Sequence, residues 1–258
     1  VEVVEQWVPL FLFAILFGLS MDYQVFLLSR IKEAWDRTHD NTLAVTEGVN
    51  ATAGIITGAG GTFCSGMDLK AFLRGEMPSI KGKGFAGFIE SPPAKPLIGA
   101  VEGYALAGGT EILQGTDIRV GADNAIFGVT EVARGLYPMS GSTIRLRRQI
   151  PYCLAAEMLL CGEHITAQQA LDFGLINKMV PAGKTLEAAK EYAQKICSNG
   201  PLAVRAVVKS LREHQECLSE GDAMVASDEL AGPVFASSDA KEGMRAFKEK
   251  RPAEFTGS

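Results

Sequence analysis

Short apolar runs closed by glycine or proline alternate with helical patterns from residue 54 onward, and this alternation constrains the fold more than any other feature of the sequence. The runs Ala53–Thr57 and Pro96–Val101 each end near a glycine-containing turn. Two shorter runs, Asp117–Val120 and Ala125–Phe127, are predicted to be strands of the same sheet, and a helical pattern over Thr110–Gln114 precedes them. Because strands that alternate with helices are typical of parallel crossover connections, the sequence predicts an α/β fold.

The last third of the chain is predicted to be helical. Thr166 and Gly174 bracket one helix as its N-cap and its terminating glycine. The apolar spacing indicates helices over Ser142–Arg148, Leu154–Cys161, Ala167–Phe173, Leu186–Asn199, Leu202–Cys217, Gly221–Leu230 and Asp239–Lys250.

The N-terminal region differs sharply in composition. Residues Trp7–Met21 carry no charge, and up to Ser29 the only acid is Asp22. A run of about 20 apolar residues is long enough to span a bilayer. A spanning helix and a buried core helix both remain open as interpretations, so membrane association of residues 7–29 is one alternative.

Composition excludes some functional classes. The net charge of −5 argues against a general nucleic-acid-binding protein, which usually presents a basic face. The chain has 5 cysteines at spacings that match neither metal sites nor redox motifs, which favours reduced, buried thiols in a cytoplasmic protein. The 3 histidines stand apart from other ligand types, so no metal site is expected.

Two adjacent glycines followed by a glutamate mark one strand-to-helix turn. Gly108 and Gly109 let the backbone approach a ligand closely, and the first N–H groups of a helix are free to bind negative charge. Glu111 follows within the first turn. Taken alone, this pattern is better explained by structural glycines and a glutamate that the helix dipole favours.

Glu131 comes twenty residues after Glu111, behind the predicted strand Ala125–Phe127. A crossover of that length allows both carboxylates to converge on one pocket. Paired carboxylates suit the addition of water, because one can take a proton from water while the other gives a proton to carbon. Either residue alone is more often a surface glutamate.

Three segments taken together resemble the crotonase, or enoyl-CoA hydratase, family. They are GTFCSGMDLKAF (Gly61–Phe72), VEGYALAGGTEI (Val101–Ile112) and FGVTEVARGLYPMSGSTIRL (Phe127–Leu146). The C-terminal AFKEKRPAEF also fits, so that the resemblance covers about residues 56–258. It implies a spiral of ββα units, acyl-CoA thioesters as substrates, no cofactor beyond the CoA of the substrate, and a homotrimer or hexamer.

The resemblance also implies roles for individual residues. The backbone N–H groups of Met67 and Gly108 would form an oxyanion hole for the thioester oxygen, with Glu111 and Glu131 as the catalytic pair. Substrate-binding positions are implied at Ser65, Gly66, Asp68, Leu69, Gly109, Pro138, Phe247 and Lys250. Of these, Phe247 and Lys250 match positions that often line the CoA site of a neighbouring subunit.

The N-terminal segment resembles something else. The stretch PLFLFAILFGLSMDYQVFLLSRIKEAWDR is similar to a transmembrane portion of lipid exporters of the resistance-nodulation-division type, in which an Asp-Tyr pair such as Asp22-Tyr23 belongs to the proton pathway. We therefore predict three regions: an exporter-like hydrophobic helical segment (1–55) in place of the first ββα unit and part of the CoA site, a crotonase core (56–198), and a helical oligomerisation region (199–258).

The leading functional hypothesis is a lyase that hydrates 2-enoyl-CoA to 3-hydroxyacyl-CoA. Retention of both glutamates favours hydration over the other reactions of the family. The alternatives are an isomerase, hydrolase or dehydratase acting on another acyl-CoA, and an inactive fusion with a membrane-associated N-terminus.

Overall fold

The computed structural model describes residues 53–76, 79–213 and 219–258. The strands of this part are short and the helices concentrate in its second half. The strands are β1 (Gly54–Thr57), β2 (Ser79–Ile80), β3 (Gly84–Phe85), β4 (Leu97–Val101), β5 (Tyr104–Leu106), β6 (Ile118–Ala122), β7 (Ile126–Gly128), β8 (His164–Thr166) and β9 (Lys178–Val180). The helices are α1 (Leu69–Leu73), α2 (Gly108–Gln114), α3 (Ser142–Gln149), α4 (Tyr152–Cys161), α5 (Ala167–Asp172), α6 (Thr185–Cys197), α7 (Pro201–Glu213), α8 (Glu220–Ala236) and α9 (Ser238–Glu249). A single 3₁₀ turn, Glu131–Arg134, is also part of the described chain.

Two main sheets form the framework. The first is parallel throughout, in the order β1-β4-β6-β9, and the second has the order β5-β7-β8 with β5 and β7 parallel. Strand β4 reads LIGAV and is buried at every position, as expected for a parallel strand covered on both faces. Two passes of the chain, β4-β5 and β6-β7, each contribute one strand to each sheet before the next helical turn, so the chain advances there as a spiral of strand-strand-helix units.

The main hydrophobic core fills the space between the sheets and the helices that follow them. Its largest members are fully buried and come from both sheets and from α2 and α3, namely Phe127, Val101, Leu113 and Leu146. A smaller cluster packs Ala189 and Ala193 of α6 against Ile98 and Ala100 of β4. The first sheet is therefore covered by apolar side chains on both faces.

The predicted strands and helices are largely confirmed, with one error in their arrangement. Ala125–Phe127 was expected to share a sheet with Asp117–Val120, but β7 pairs with β5 and β8 instead. The physical reason is the tight turn after β6, in which the Ala125 N–H donates to the Ala122 carbonyl at 2.9 Å. The turn redirects the chain into the second layer, where the main chain of Leu106 and Gly128 is paired.

The capped helix was predicted correctly. Thr166 accepts a hydrogen bond from the Gln169 N–H, and the Gln169 side chain accepts one from the Thr166 N–H, which together form a capping box. The helix ends at Asp172, and Gly174 follows with a φ of +80°.

The prediction of buried cysteines was wrong for three of them. Cys153, Cys161 and Cys197 are exposed, and Cys64 is half-buried, while Cys217 lies outside the described residues. Cys153 and Cys161 stand near opposite ends of α4, whose buried positions are Ala155 and Met158. The helix therefore packs through small and unbranched residues between the two thiols.

Residues 1–52, including the predicted hydrophobic helix and Asp22-Tyr23, lie outside the described residues. None of the helices within the described ranges is long and apolar enough to cross a membrane. On the described part of the first sheet, β1 pairs with β4 on one side, and no partner strand for its other side is found there.

Candidate active site

Parallel pairing of β5 and β7 brings the two glutamates to one edge of the second sheet. Leu106 of β5 is paired with Gly128 of β7, and the Ala107 N–H donates to the Gly128 carbonyl at 2.8 Å. The chain leaves β5 into α2 and leaves β7 into the 3₁₀ turn. Glu111 and Glu131 therefore stand just beyond the carboxyl ends of neighbouring parallel strands, which is where ligands bind in open α/β sheets.

Thr110 locks this corner. Its hydroxyl donates to the carbonyls of Ala105 (2.6 Å) and Gly128 (2.9 Å) as alternative acceptors, and it accepts from the Gly128 N–H at 3.2 Å. Thr110 is completely buried and directly precedes Glu111. The start of α2 is consequently tied to both strands, and the position of Glu111 along the sheet edge is fixed.

Glu111 is buried and held by backbone amides. Its side chain is 3% exposed, and one oxygen, Oε1, accepts hydrogen bonds from the N–H groups of Ser140 (2.9 Å) and Ser142 (3.2 Å). Ser142 is the first residue of α3, so the carboxylate lies at the N-terminal end of that helix. Desolvation by burial raises the pKa of Glu111 above 4.5, and the two serines oppose this effect because they stabilise the charged form.

Glu131 has a different environment. It opens the 3₁₀ turn, which ends at Gly135 with a φ of +66°. Its Oε2 is buried and has no hydrogen-bond partner within the described part of the chain. Desolvation raises the pKa of Glu131, the Glu111 carboxylate raises it further, and its own backbone N–H and Arg134 act in the opposite direction. The electrostatic effect of Glu111 on Glu131 indicates that the two carboxyl groups share one site.

Two unpaired backbone amides lie beside the pair. Gly66 has a φ of +96°, and a Cβ built there would lie 3.0 Å from Ala107 Cβ and 3.3 Å from the Gly108 nitrogen. The Gly66–Met67 segment is therefore in contact with the start of α2. Neither the Met67 N–H nor the Gly108 N–H donates a hydrogen bond to an atom of the described residues. Donors in this arrangement can bind one oxygen that carries developing negative charge.

Close packing keeps these amides together. A Cβ on Gly108 would lie 2.7 Å from the ring of Phe85, and a Cβ on Gly109 would lie only 2.0 Å from the Cys64 carbonyl oxygen. Cys64 is bridged to Ala105, which joins the loop before Met67 to the second sheet. Only glycine permits this approach of the loop to α2.

The other predicted binding residues differ in their exposure and in their contacts. Asp68 caps α1, accepting from the N–H groups of Lys70 (2.8 Å) and Ala71 (3.2 Å), so its carboxylate has a structural contact that the sequence alone left open. Ser65 and Leu69 are exposed beside Met67, whereas Pro138 is buried ahead of Ser140. The structure therefore places Gly66 and Gly109 where the loop meets α2, Ser65, Asp68 and Leu69 beside them at the start of α1, and Pro138 ahead of the Ser140 N–H that holds Glu111.

Phe247 and Lys250 are not brought to the carboxylates. Both are exposed, Phe247 by 87%, in and just after α9, which packs against α8. Neither has a hydrogen bond or ion pair to Glu111 or Glu131 in the part of the chain that the structure describes. Their predicted role toward a neighbouring subunit stays a prediction.

Sequence reasoning missed Ser140, Ser142 and Gln114. The serines act through their backbone N–H groups, which any residue carries, and the only available signal was the glycine-containing stretch PMSGS before a helix. Gln114 is 3% exposed, and its side-chain amide donates to the Ser142 hydroxyl at 3.0 Å. Its spacing of three residues from Glu111 was visible, but its partner was not.

The whole of the described chain falls within a match to one protein family. The sequence profile of enoyl-CoA hydratase/isomerase matches residues 40–258. The chain belongs to the enoyl-CoA hydratase/isomerase family. It is 47% identical to the enoyl-CoA hydratase EchA19 of Mycobacterium tuberculosis, over 86% of this chain and 84% of that protein. It is also 40% identical to carnitinyl-CoA dehydratase of Proteus mirabilis, over 79% of this chain and 80% of that protein.

Solved structures of family members share the fold. An enoyl-CoA hydratase from Mycobacterium tuberculosis superposes with a TM-score of 0.78 at 44% identity, covering 83% of this chain and 89% of that one. The enoyl-CoA hydratase EchA1 from Mycobacterium marinum gives the same TM-score and identity, covering 91% and 89%. These likenesses confirm a crotonase-like α/β fold and an enzyme of the hydratase type.

The family match begins ahead of the predicted boundary at residue 56. Residues 40–55, which were expected to belong to the exporter-like segment, lie within the match. The exporter-like resemblance of residues 1–55 receives no support from these relatives, and membrane association receives none either. Most of that segment lies outside the described residues.

Proposed function

We propose that the protein adds water reversibly across the double bond of a trans-2-enoyl-CoA thioester, giving the 3-hydroxyacyl-CoA. The observation that carries this proposal is the convergence of a buried carboxyl group, Glu111, and a half-buried one, Glu131, at the edge where β5 and β7 end, beside the unpaired N–H groups of Met67 and Gly108. The similarity to an enoyl-CoA hydratase supports the same reaction.

The amides supply the electrostatic part of the mechanism. When water attacks the β-carbon, the electron pair of the double bond moves toward the thioester and negative charge develops on its oxygen. The Met67 and Gly108 N–H groups would donate to that oxygen and stabilise the enolate. Removal of one such donor typically lowers the rate by about 10²–10³-fold.

The different environments of the carboxyl groups suggest different roles. Glu111 accepts two backbone hydrogen bonds at a helix N-terminus, which favour its anion, so it is suited to take a proton from the attacking water. Glu131 has an unpaired buried oxygen and experiences the charge of Glu111, both of which favour its protonated form. Glu131 would therefore give its proton to the α-carbon, as the oxygen of water bonds to the β-carbon.

Steady-state kinetics of single and double variants test the proposal. The purified protein is assayed with crotonyl-CoA by the loss of enoyl-thioester absorbance. We expect Glu111→Gln and Glu131→Gln each to reduce kcat by about 10²–10⁴-fold, the usual range for a general acid or base. Glu187→Gln is a matched control, because Glu187 is an exposed carboxylate that pairs with Lys184 at 2.8 Å. Unchanged turnover in the Glu111→Gln, Glu131→Gln double variant would refute the assignment of these two residues as the acid and base.

A dehydratase is the second candidate. The 40% identity to a carnitinyl-CoA dehydratase favours elimination of water from a 3-hydroxyacyl-CoA, which the same two carboxyl groups would catalyse in reverse. Isomerase and hydrolase activities remain further alternatives within the family. Product analysis across several thioesters separates these classes. Hydration and dehydration change the mass of the acyl-CoA by one water, isomerisation leaves that mass unchanged, and hydrolysis adds water across the thioester bond and releases free CoA.

The C-terminal helices are proposed to mediate a homotrimer or a dimer of trimers. Their exposed faces carry many large apolar side chains, including Val207 and Leu211 of α7, Met224 and Phe235 of α8, and Met244 of α9. Such a density of exposed apolar surface is typical of a protein interface. Sedimentation equilibrium tests this proposal, and a monomer at assay concentration would contradict it.

A further inference from the structure

Gln114 lies one helical turn after Glu111 and is buried beside it. Both residues belong to α2, and residues three apart on a helix share a face. The Gln114 Nε2 donates to the hydroxyl of Ser142 at 3.0 Å. Ser142 is completely buried, so this hydrogen bond lies within the protein interior.

Ser142 is also one of the two residues that hold the Glu111 carboxylate. Its N–H donates to Glu111 Oε1 at 3.2 Å, and the Ser140 N–H donates to the same oxygen at 2.9 Å. One face of α2 therefore makes hydrogen bonds to the Ser140–Ser142 segment through two side chains. Glu111 holds the segment by its main chain, and Gln114 holds it by the Ser142 side chain.

The end of α2 is also anchored by side chains outside the Ser140–Ser142 segment. The Gln114 carbonyl accepts hydrogen bonds from Gln149 Nε2 at 2.9 Å and from Arg119 Nη2 at 3.3 Å. Arg119 is buried and also donates to the Leu175 and Thr116 carbonyls. Gln114 thus presents its amide from a fixed backbone, so the position of Ser142 follows from that of α2.

We propose that Gln114 is a positioning residue for the reaction. Through the Ser142 hydroxyl it holds the Ser140–Ser142 segment in register with α2, so that both backbone N–H groups point at Glu111 and keep it as a carboxylate ready to accept a proton from water. This inference rests on the proposed hydration reaction. It concerns a residue that touches neither water nor thioester.

The charged groups near Glu111 determine how loss of the Gln114–Ser142 hydrogen bond would change the pKa of Glu111. The Glu131 carboxyl group faces it from the 3₁₀ turn, and the Arg145 guanidinium interacts with it from α3 while donating to the Ser140 carbonyl at 3.2 Å. Without Gln114 these two groups stay in place, but the N–H of Ser142 moves away from Glu111. The carboxylate then loses stabilisation, and its pKa rises further above 4.5.

Two variants and their combination test the inference. Gln114→Met keeps the length of the side chain and removes its amide, and Ser142→Ala keeps the backbone N–H and removes the hydroxyl. We expect each to lower kcat by about 10–10²-fold with little change in KM, as a misplaced catalytic group does. Because both changes break the same hydrogen bond, the double variant should be no slower than the slower single variant.

Thr116→Val is the matched control. Thr116 is buried just beyond α2, and its hydroxyl donates to the Leu113 carbonyl at 2.7 Å, away from the Ser140–Ser142 segment. Thr116→Val should lower thermal stability about as much as Gln114→Met and Ser142→Ala do, and it should leave the pH profile of kcat unchanged. A shift of the acid limb of that profile to higher pH, confined to the Gln114 and Ser142 variants, is the expected signature of positioning.

A second readout does not depend on turnover. Carboxyl-carbon NMR of protein with isotope-labelled glutamate, with Glu111→Gln assigning the signal, should show a higher Glu111 pKa in Gln114→Met than in the parent. Parent protein without hydratase activity would defeat the proposed function and leave this pKa difference measurable. An unchanged Glu111 pKa, or losses that multiply in the double variant, would overturn the positioning role.

Discussion

A methyl group at residue 109 would lie 2.0 Å from the Cys64 carbonyl oxygen, which makes Gly109→Ala a direct test of how the two amides are held together. Protein Cβ atoms essentially never approach other heavy atoms closer than 3.0 Å, so the loop and α2 must separate by at least about 1 Å. The atom in the way belongs to the backbone, and rotation of a side chain cannot relieve the contact. The Met67 and Gly108 N–H groups, which we propose bind one oxygen, would then move apart.

The loss of stability in Gly109→Ala can be worked out from the contacts that the added methyl group would disrupt. Cys64 exchanges hydrogen bonds with β5, because its N–H donates to Tyr104 and its carbonyl accepts from Leu106, each at 2.9 Å. Weakening both contacts and overpacking the site costs about 2–3 kcal/mol, of which about 1 kcal/mol is regained because alanine is the better helix former. The melting temperature should fall by roughly 4 °C. A displacement of about 1 Å in the catalytic geometry should reduce kcat about 10²-fold.

The assay pairs thermal unfolding with turnover of crotonyl-CoA. Gly115→Ala is the control at the opposite end of the same helix, since its Cβ would lie 3.1 Å from the tip of Ile89 and its φ is −80°. That variant should keep kcat within about twofold because a flexible side chain can yield. Parent values of kcat and melting temperature in Gly109→Ala would refute the view that close approach of Cys64 to α2 forms the oxyanion site.

Three further outcomes are expected. The pH dependence of kcat should be bell-shaped with both limbs above pH 4.5. Burial raises the pKa of both Glu111 and Glu131, and the proposed hydration needs the first ionised and the second protonated. A single limb in the pH–rate profile would contradict the proposed division of roles. Glu131→Gln should raise the melting temperature at about pH 7 and lose that advantage below pH 4.5. A carboxyl group whose pKa is raised in the folded state destabilises the fold only at pH values where it ionises. Equal melting temperatures of parent and variant at both pH values would argue against a raised pKa of Glu131. Asp68→Ala should destabilise α1 by about 1 kcal/mol through the lost cap and leave kcat nearly unchanged, whereas a large fall in kcat at constant KM would give Asp68 a catalytic role.

Local signals in the sequence were sufficient for most strands and helices. The run LIGAV is apolar at every position, and it forms a strand buried at every position. The Gly108-Gly109 pair also predicted a helix start that a close neighbour can approach, because two adjacent residues lack a Cβ. The neighbour expected there was a ligand, whereas the structure places the Cys64 carbonyl against Gly109. In these cases the physical cause lies within a few residues of the chain.

Contacts between distant segments were not accessible in the same way. The assignment of β7 to the second sheet depends on the turn after β6 and on pairing with Tyr104–Leu106, a strand too short to show a period. The hydrogen bonds from Ser140 and Ser142 to Glu111 span 29 and 31 residues and use the main chain, so residue identity carries no signal for them. The candidate site could be proposed from the sequence, but the different surroundings of the two carboxyl groups could not.

The most direct test of the central claim is to follow the oxygen atom of water. The protein is incubated with crotonyl-CoA in water labelled with heavy oxygen, and the CoA products are analysed by mass spectrometry. Hydration by the Glu111 and Glu131 pair predicts 3-hydroxybutyryl-CoA that carries one labelled oxygen at its β-carbon, formed by the parent and lost in the double glutamine variant. An intact thioester without label, a product cleaved at the thioester bond, or equal labelling by parent and double variant would contradict the account.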